Sequence, residues 1–113
     1  RLSHVWRGAG WTAGAAATIA LVMPESEGPE ALTDWFDLGQ AAMQMMIAAT
    51  GFGIASGQAS CKDQVLAHEV LGFPEGKQCL LLIALGYAAD RPLKPIRKPS
   101  RREFDDVVHF GTW

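Results

Sequence analysis

The sequence predicts a globular domain of strands and helices whose main elements are buried on more sides than one short chain can cover. Three observations support this: two apolar runs of strand length, a long helix that is apolar almost all round, and a short capped helix. Of its 113 residues, 49% are hydrophobic and 19% are charged, which is ordinary for one soluble unit with a single core.

Two segments are predicted to be buried strands. Residues 16–23 include the β-branched Thr18, Ile19 and Val22, and Pro24 stops them. Residues 78–87 contain the continuous apolar run CLLLIAL, which is typical of a strand covered on both faces. Residues 1–14 lack a steady period and are predicted to be a loop or an irregular helix.

Two helices are predicted between these strands. The longer one begins near Pro29, a residue favoured at the first helical position, and its second half, residues 41–49, is apolar on almost every side. Gly51 follows and suits a helix end. A shorter helix is predicted after Ser60 and Asp63, which together resemble a capping box. The buried helix and both strands need apolar cover from another segment or another subunit.

Composition excludes several classes of function. The net charge of −2 and the pI near 5.9 give no general attraction to nucleic acid or to an anionic membrane. The longest apolar run is too short to span a bilayer. The three histidines are isolated, so they predict no hydrolytic triad and no metal site.

The two cysteines are predicted to be free thiols in a reducing compartment, and we therefore expect the protein in the cytoplasm. Cys61 lies near the predicted start of the short helix, where a helix dipole can lower the pKa of a thiol and make it reactive. Cys79 lies in the second apolar run.

Four signals, in this order, resemble the nitroreductase family: a helix, a turn, a strand and a basic tail. Residues 37–53, DLGQAAMQMMIAATGFG, are similar to its central helix, and residues 71–75, LGFPE, to the turn that follows. Residues 82–87, LIALGY, resemble its next strand. The basic RKP at 97–99 and the ending VVHFGTW at 107–113 resemble its tail. A helix punctuated by glycines is common in α/β proteins, so the order of the motifs carries the resemblance.

This resemblance implies an α+β fold with a mixed β-sheet flanked by helices, in an interlocked homodimer that binds FMN at the subunit interface. Residues 1–113 would be the C-terminal part of a single nitroreductase-like domain, with a basic tail over residues 91–113. The arginine- and serine-rich N-terminal element of the family has no counterpart here. Because the chain begins abruptly at Arg1, we expect a longer protein with a preceding half. A natural chain that has lost that half is the alternative.

The function implied is electron transfer from NADH or NADPH, through FMN, to a small-molecule acceptor such as a nitroaromatic or a quinone. One alternative on the same scaffold is a non-enzymatic protein that binds or stores flavin, or a structural dimer subunit. Another is a generic α/β interaction module. Neither a nucleic acid nor a membrane is expected as a partner.

The resemblance also implies two groups of FMN-binding residues. The backbone near Gln58, Ala59 and Ser60 would present N–H groups to one edge of the flavin. The alternative is a glycine- and serine-rich turn in which Ser60 only caps a helix. Arg97 and Lys98 would bind the FMN phosphate, because arginine offers a planar fork to phosphate oxygens and lysine a mobile charge. A solvated basic tail is the alternative there.

Overall fold

The computed structural model describes residues 1–89 and 100–113. Its strands are β1 (Ala17–Pro24), β2 (Ala55–Ser60) and β3 (Lys77–Gly86), and its α-helices are α1 (Gly28–Gly51) and α2 (Gln64–Leu71). Short 3-10 helices cover Leu2–His4, Gly10–Gly14 and Phe104–Asp106. The three strands form one antiparallel sheet in the order β1-β3-β2. The α+β class predicted from the resemblance is confirmed, although these three strands contain none of the parallel pairing expected of a mixed sheet.

Strand β3 is the centre of the core and separates two apolar clusters. Its consecutive residues Leu82 and Ile83 are both fully buried, and successive residues of a strand point to opposite faces. Leu82 packs in a cluster with Val5, Ala67 of α2 and both cysteines. Ile83 packs in a second cluster with Ala42 of α1. The prediction that this strand is covered on both faces is confirmed.

Strand β1 is less buried than the sequence predicted. It lies at one edge of the sheet, and only Leu21 and Met23 are buried along it. The prediction of a strand buried on both faces is wrong for β1, because nothing in the described part of the chain covers its outer edge and its first residues. Its pairing with β3 shifts between Leu21 and Val22, so Leu80 on β3 has no partner in β1 and forms a bulge.

Helix α1 begins and ends close to the predicted positions, with Pro29 in its first turn and Phe52 after its last residue. Its burial differs from the prediction, because only Ala42 and Ala49 are buried. Large apolar side chains remain exposed along it: Leu32, Trp35, Phe36, Met43 and Ile47. Within the described chain, α1 covers one face of the sheet and leaves its own outer face without cover.

Helix α2 is short and well capped at both ends. The Asp63 carboxylate accepts a hydrogen bond from the Leu66 N–H at 2.9 Å, and Gly72 takes the left-handed conformation, with φ of 66°, after the last turn. The predicted cap at Ser60 is wrong because Ser60 is the last residue of β2. Residues 55–60 form a strand rather than the alternative turn, because β3 offers them a complete antiparallel partner.

The C-terminal part of the chain adds little regular structure. Residues 90–99 are not described, so Arg97 and Lys98, together with the rest of the first nine residues of the predicted basic tail, lie outside the described residues. Residues 100–113 contain one 3-10 helix and a contact between His109 and Trp113, whose ring centroids are 4.2 Å apart. No helix in the described ranges is long and apolar enough to cross a membrane.

Candidate functional site

A cleft lies on the α1 side of the sheet, where β2 ends. Trp35, Leu38 and Gly39 of α1 form one wall, and Leu80 and Leu81 of β3 form the other. Its end is lined by Ser60 and by the first residues of the connector between β2 and α2, Cys61 and Lys62. The volume of the cleft is about 240 Å³, slightly less than the roughly 300–1,000 Å³ of a complete small-molecule pocket. The walls are apolar and aromatic, and the polar groups lie at one end.

Gly39 borders free space in this cleft. A methyl group added at its Cα would meet nothing within 4 Å, so the packing of α1 does not require glycine here. Glycine in a helix interior costs roughly 1 kcal/mol relative to alanine. No close packing around Gly39 offsets this loss of helix stability. The result of having glycine at this position is free space beside Trp35.

The backbone of β2 points in two directions. The Cys61 N–H donates to the Leu80 carbonyl at 2.9 Å. Because hydrogen-bonded pairs alternate along an antiparallel ladder, Ala59 also faces β3, whereas Gln58 and Ser60 direct their N–H groups away from it. Strand β2 is an edge strand of the described sheet, so the N–H of Ser60 faces the open edge of that sheet, and Ser60 itself lines the end of the cleft.

The connector of residues 61–63 is held on its backbone. The N–H groups of Lys62 and Asp63 both donate to the Val5 carbonyl, at 3.0 and 2.9 Å. Val5 is 1% exposed and belongs to the apolar cluster on the α2 side of the sheet. All three connector N–H groups are thus occupied.

Gln64, the first residue of α2, joins this connector to β3. Its Nε2 donates to the carbonyls of Cys61 at 3.2 Å and Cys79 at 2.7 Å, and its Oε1 accepts from the Cys79 N–H at 2.9 Å. A side-chain amide has two donor hydrogens and one acceptor oxygen, so these bonds fix its orientation.

Trp11 packs against β2 from the N-terminal segment. A Cβ added to Gly57 would lie 2.7 Å from the Trp11 ring, closer than real contacts allow. Gly57 is therefore required by the indole that covers it. Neither residue lines the cleft at Ser60, so this contact stabilises β2 from the other end of the strand.

The predicted reactivity of Cys61 is wrong. Both cysteines are free and buried in the cluster around Leu82. Burial raises the pKa of the Cys61 thiol, and the nearby Asp63 carboxylate adds to the rise. Burial and the adjacent Cys61 raise the pKa of Cys79 to about 12. In residues 1–89 and 100–113, no three His, Cys, Asp or Glu side chains gather as a metal site requires.

The predicted binding residues therefore have different places in the structure. Ser60 lines the cleft, Gln58 lies two residues earlier on the open edge, and Ala59 is 6% exposed with its backbone towards β3. Sequence reasoning did not identify the α1 wall or Gln64. For Gly39 the sequence contains a signal, namely a glycine in the interior of a predicted helix. For Gln64 it contains none, because the bond to Cys79 joins residues that are fifteen positions apart.

Comparison with known proteins defines the class. The model of the Nitroreductase family matches residues 2–87, so the chain belongs to the nitroreductase family. The sequence gives no significant match among curated proteins. The resemblance found in the sequence is thus confirmed at the level of the family.

Solved structures share the fold. A Clostridium acetobutylicum protein assigned as an NADH oxidase is similar with a TM-score of 0.76 and 16% identity, over 99% of this chain and 68% of that one. The NADPH:FMN oxidoreductase of Vibrio harveyi gives 0.74 and 20%, over 99% and 53%. The FMN and NADPH-dependent nitroreductase NfnB of Sphigopyxis sp. strain HMH gives 0.68 and 21%, over 88% and 44%. The chain therefore spans about half the length of the latter two proteins.

Proposed function

We propose that the chain is part of an FMN-dependent oxidoreductase of nitroreductase type, which takes electrons from NADH or NADPH and reduces a nitroaromatic, a quinone or a related acceptor. The observation that carries the proposal is the cleft: an apolar and aromatic slot between α1 and β3 that ends at Ser60, whose backbone N–H points to the open edge of the described sheet. Family membership and the names of the structural neighbours point to the same cofactor.

The residues of the cleft fit a flavin ring. Leu38, Leu80 and Leu81 offer apolar contacts to a flat ring, Trp35 offers an aromatic one, and Gly39 leaves room for it. The Ser60 N–H would donate to the polar edge of the ring, with Gln58 and Ala59 holding the strand that carries it. When bound, FMN would supply the hydride and electron transfer.

Charge at the cleft suits anionic ligands. Lys62 is exposed and lines the cleft, so its ammonium group favours the approach of an anionic nucleotide such as NADH or NADPH. Arg97 and Lys98 are proposed to bind the FMN phosphate through charge-assisted hydrogen bonds. Both proposals place positive charge where it offsets the negative charge of a phosphate.

We also propose a homodimer in the cytoplasm. The outer face of α1 exposes Phe36 by 68% and Ile47 by 65%, and a continuous apolar face of this kind is typical of an interface. A second subunit, together with further parts of the domain, would cover it. Sedimentation equilibrium of the full-length protein should give twice the mass of one chain, and a concentration-independent monomer would contradict this proposal.

The test of function uses the full-length protein. FMN is added to the purified protein, binding is followed by quenching of flavin fluorescence, and oxidation of NADH and NADPH is then measured with a small quinone or a nitroaromatic. Binding with rapid turnover supports the enzyme. Binding without turnover of either nucleotide supports the flavin-storage alternative, and absence of flavin binding contradicts both.

A further inference from the structure

Gln64 holds two parts of the cleft wall together. Its side chain bonds to the carbonyl of Cys61, which directly follows Ser60, and to both backbone groups of Cys79, which directly precedes the bulge residue Leu80. Ser60, Cys61 and Leu80 all line the cleft. One amide therefore spans the end of β2 and the bulge of β3.

Local folding does not account for this arrangement. The N-terminus of α2 already has its cap in Asp63, so Gln64 is not needed to start the helix. Strand β2 ends at Ser60, which pairs with Leu81, so Cys79 lies beyond the last residue of β3 that pairs with β2. The amide of Gln64 takes the place of a strand residue there, with one acceptor for the Cys79 N–H and one donor for its carbonyl.

Gln64 acts on the residue that directly follows Ser60. The connector N–H groups are held by Leu80 and Val5, but the carbonyl of Cys61 is held by Gln64. A donor contributes to ligand binding only if its direction is fixed by neighbouring groups to within roughly 10–20°. Without Gln64, the Cys61 carbonyl loses its partner, and the end of β2 is tied to the bulge only by the bond from the Cys61 N–H to the Leu80 carbonyl.

We propose that Gln64 is a positioning residue of the flavin site: it fixes the Ser60 edge and the Leu80 bulge relative to each other and so sets the affinity and reduction potential of the bound flavin. This inference rests on the proposed function, since it assumes that the cleft takes a flavin. Gln64 itself is not among the residues that line the cleft, so it acts through its neighbours.

Two variants of the full-length protein test the proposal. Gln64→Met keeps the length of the side chain and removes all three hydrogen bonds. Gln64→Glu keeps the shape and the acceptor for Cys79 but removes both donors. The matched control is Gln78→Met, which changes the residue next to Cys79, where the amide bonds the Pro24 carbonyl at 3.3 Å, away from the cleft.

The measurements are the dissociation constant for FMN, the reduction potential of the bound flavin and the melting temperature without flavin. Both Gln64 variants should weaken FMN binding about tenfold, the lower end of what loss of an outer-shell partner costs at a metal site, and should shift the potential. The Gln78→Met control should match the wild type in both. If Gln64→Met fails to fold, Gln64→Glu alone decides.

The possible failures are distinguishable. Wild-type affinity and potential in folded Gln64 variants would overturn the positioning role while leaving the proposed function intact. A loss of affinity that only follows the unfolded fraction, with an unchanged potential, would reduce Gln64 to a structural residue and also overturn it. If the wild-type protein binds no FMN, the proposed function fails and this inference fails with it.

Discussion

The two α-helices of this chain differ in how far the chain itself completes them. Helix α2 has a side-chain cap at Asp63, a left-handed glycine at its end and a fully buried Ala67 against the sheet. Helix α1 has no side-chain cap, buries only Ala42 and Ala49, and exposes most of its large apolar residues. The contacts that stabilise α2 therefore come from this chain. The outer face of α1 has no cover in the described residues and requires a partner, and its inner face borders the cleft.

The largest expected effect on stability is on the face of the sheet that α2 covers. Leu82 is fully buried between β3 and the α2 side, and replacing it with alanine should lower the free energy of unfolding by about 2–5 kcal/mol through lost apolar contacts and a cavity. Urea denaturation of the full-length protein measures this. Leu32→Ala on α1 is the contrast, because its side chain is 75% exposed in this chain.

A partner that covers α1 would change how the stability loss of Leu32→Ala compares with that of Leu82→Ala. If a second subunit covers Leu32, its substitution should cost more at high protein concentration than at low concentration, since assembly contributes to apparent stability. A Leu32→Ala loss as large as that of Leu82→Ala, independent of concentration, would break the distinction between the two helices.

The next effect concerns the N-terminal segment on β2. Gly57→Ala places a methyl group 2.7 Å from the Trp11 ring and should destabilise the protein by about 1–3 kcal/mol, as overpacking usually does. The double variant with Trp11→Ala removes the clash, so the cost of Gly57→Ala should largely disappear there. An equal cost in both backgrounds would show that Trp11 does not rest on Gly57.

A smaller loss of stability is expected for substitutions of the residues that precede the two helices. Asp63→Ala removes the hydrogen bond to the Leu66 N–H and should cost about 1 kcal/mol. Glu27 precedes α1 without a side-chain cap bond, so Glu27→Ala should cost at most a few tenths of a kcal/mol from the helix dipole. Thermal unfolding of the two variants side by side gives the difference, and equal losses would contradict the capping assignment.

The smallest effect at neutral pH belongs to the buried thiols. The pKa of Cys79 rises from 9.0 to about 12 on folding, so the unfolded chain loses this proton at a lower pH than the folded one. The stabilisation that comes from the protonated Cys79 thiol is complete below about pH 9 and is lost as the pH rises towards 12, because the unfolded chain loses the proton first. A Cys79→Ala variant should show a flatter decline in urea midpoint over this window, and an unchanged slope would argue against it.

Local signals in the sequence were sufficient for most of the elements. The apolar run of residues 79–85 predicted β3, and Pro29 and Gly51 predicted the start and the end of α1. Each of these depends on a residue and its immediate neighbours. The order of four such motifs was enough to indicate the family that the comparison confirms.

Features that depend on distant partners were not predicted. The sequence ASGQAS at 55–60 has little strand propensity and becomes a strand because β3 pairs with it and Trp11 packs on Gly57. Burial of α1 was overpredicted because an apolar helix does not reveal whether its own chain or another covers it. The residues of the cleft come from α1, β2 and β3, so only Ser60 could be proposed from sequence.

The most direct test of the cleft is to fill it from the helix side. Gly39→Leu adds a side chain where the fold has free space, and Gly51→Leu adds the same side chain at the end of α1, about 18 Å along the helix axis. FMN titration of both full-length variants, with melting temperatures, should show wild-type affinity for Gly51→Leu. Gly39→Leu should bind at least about a hundredfold more weakly, roughly 2.8 kcal/mol, with an undiminished melting temperature. A stable Gly39→Leu protein that binds FMN like the wild type would contradict this location of the flavin.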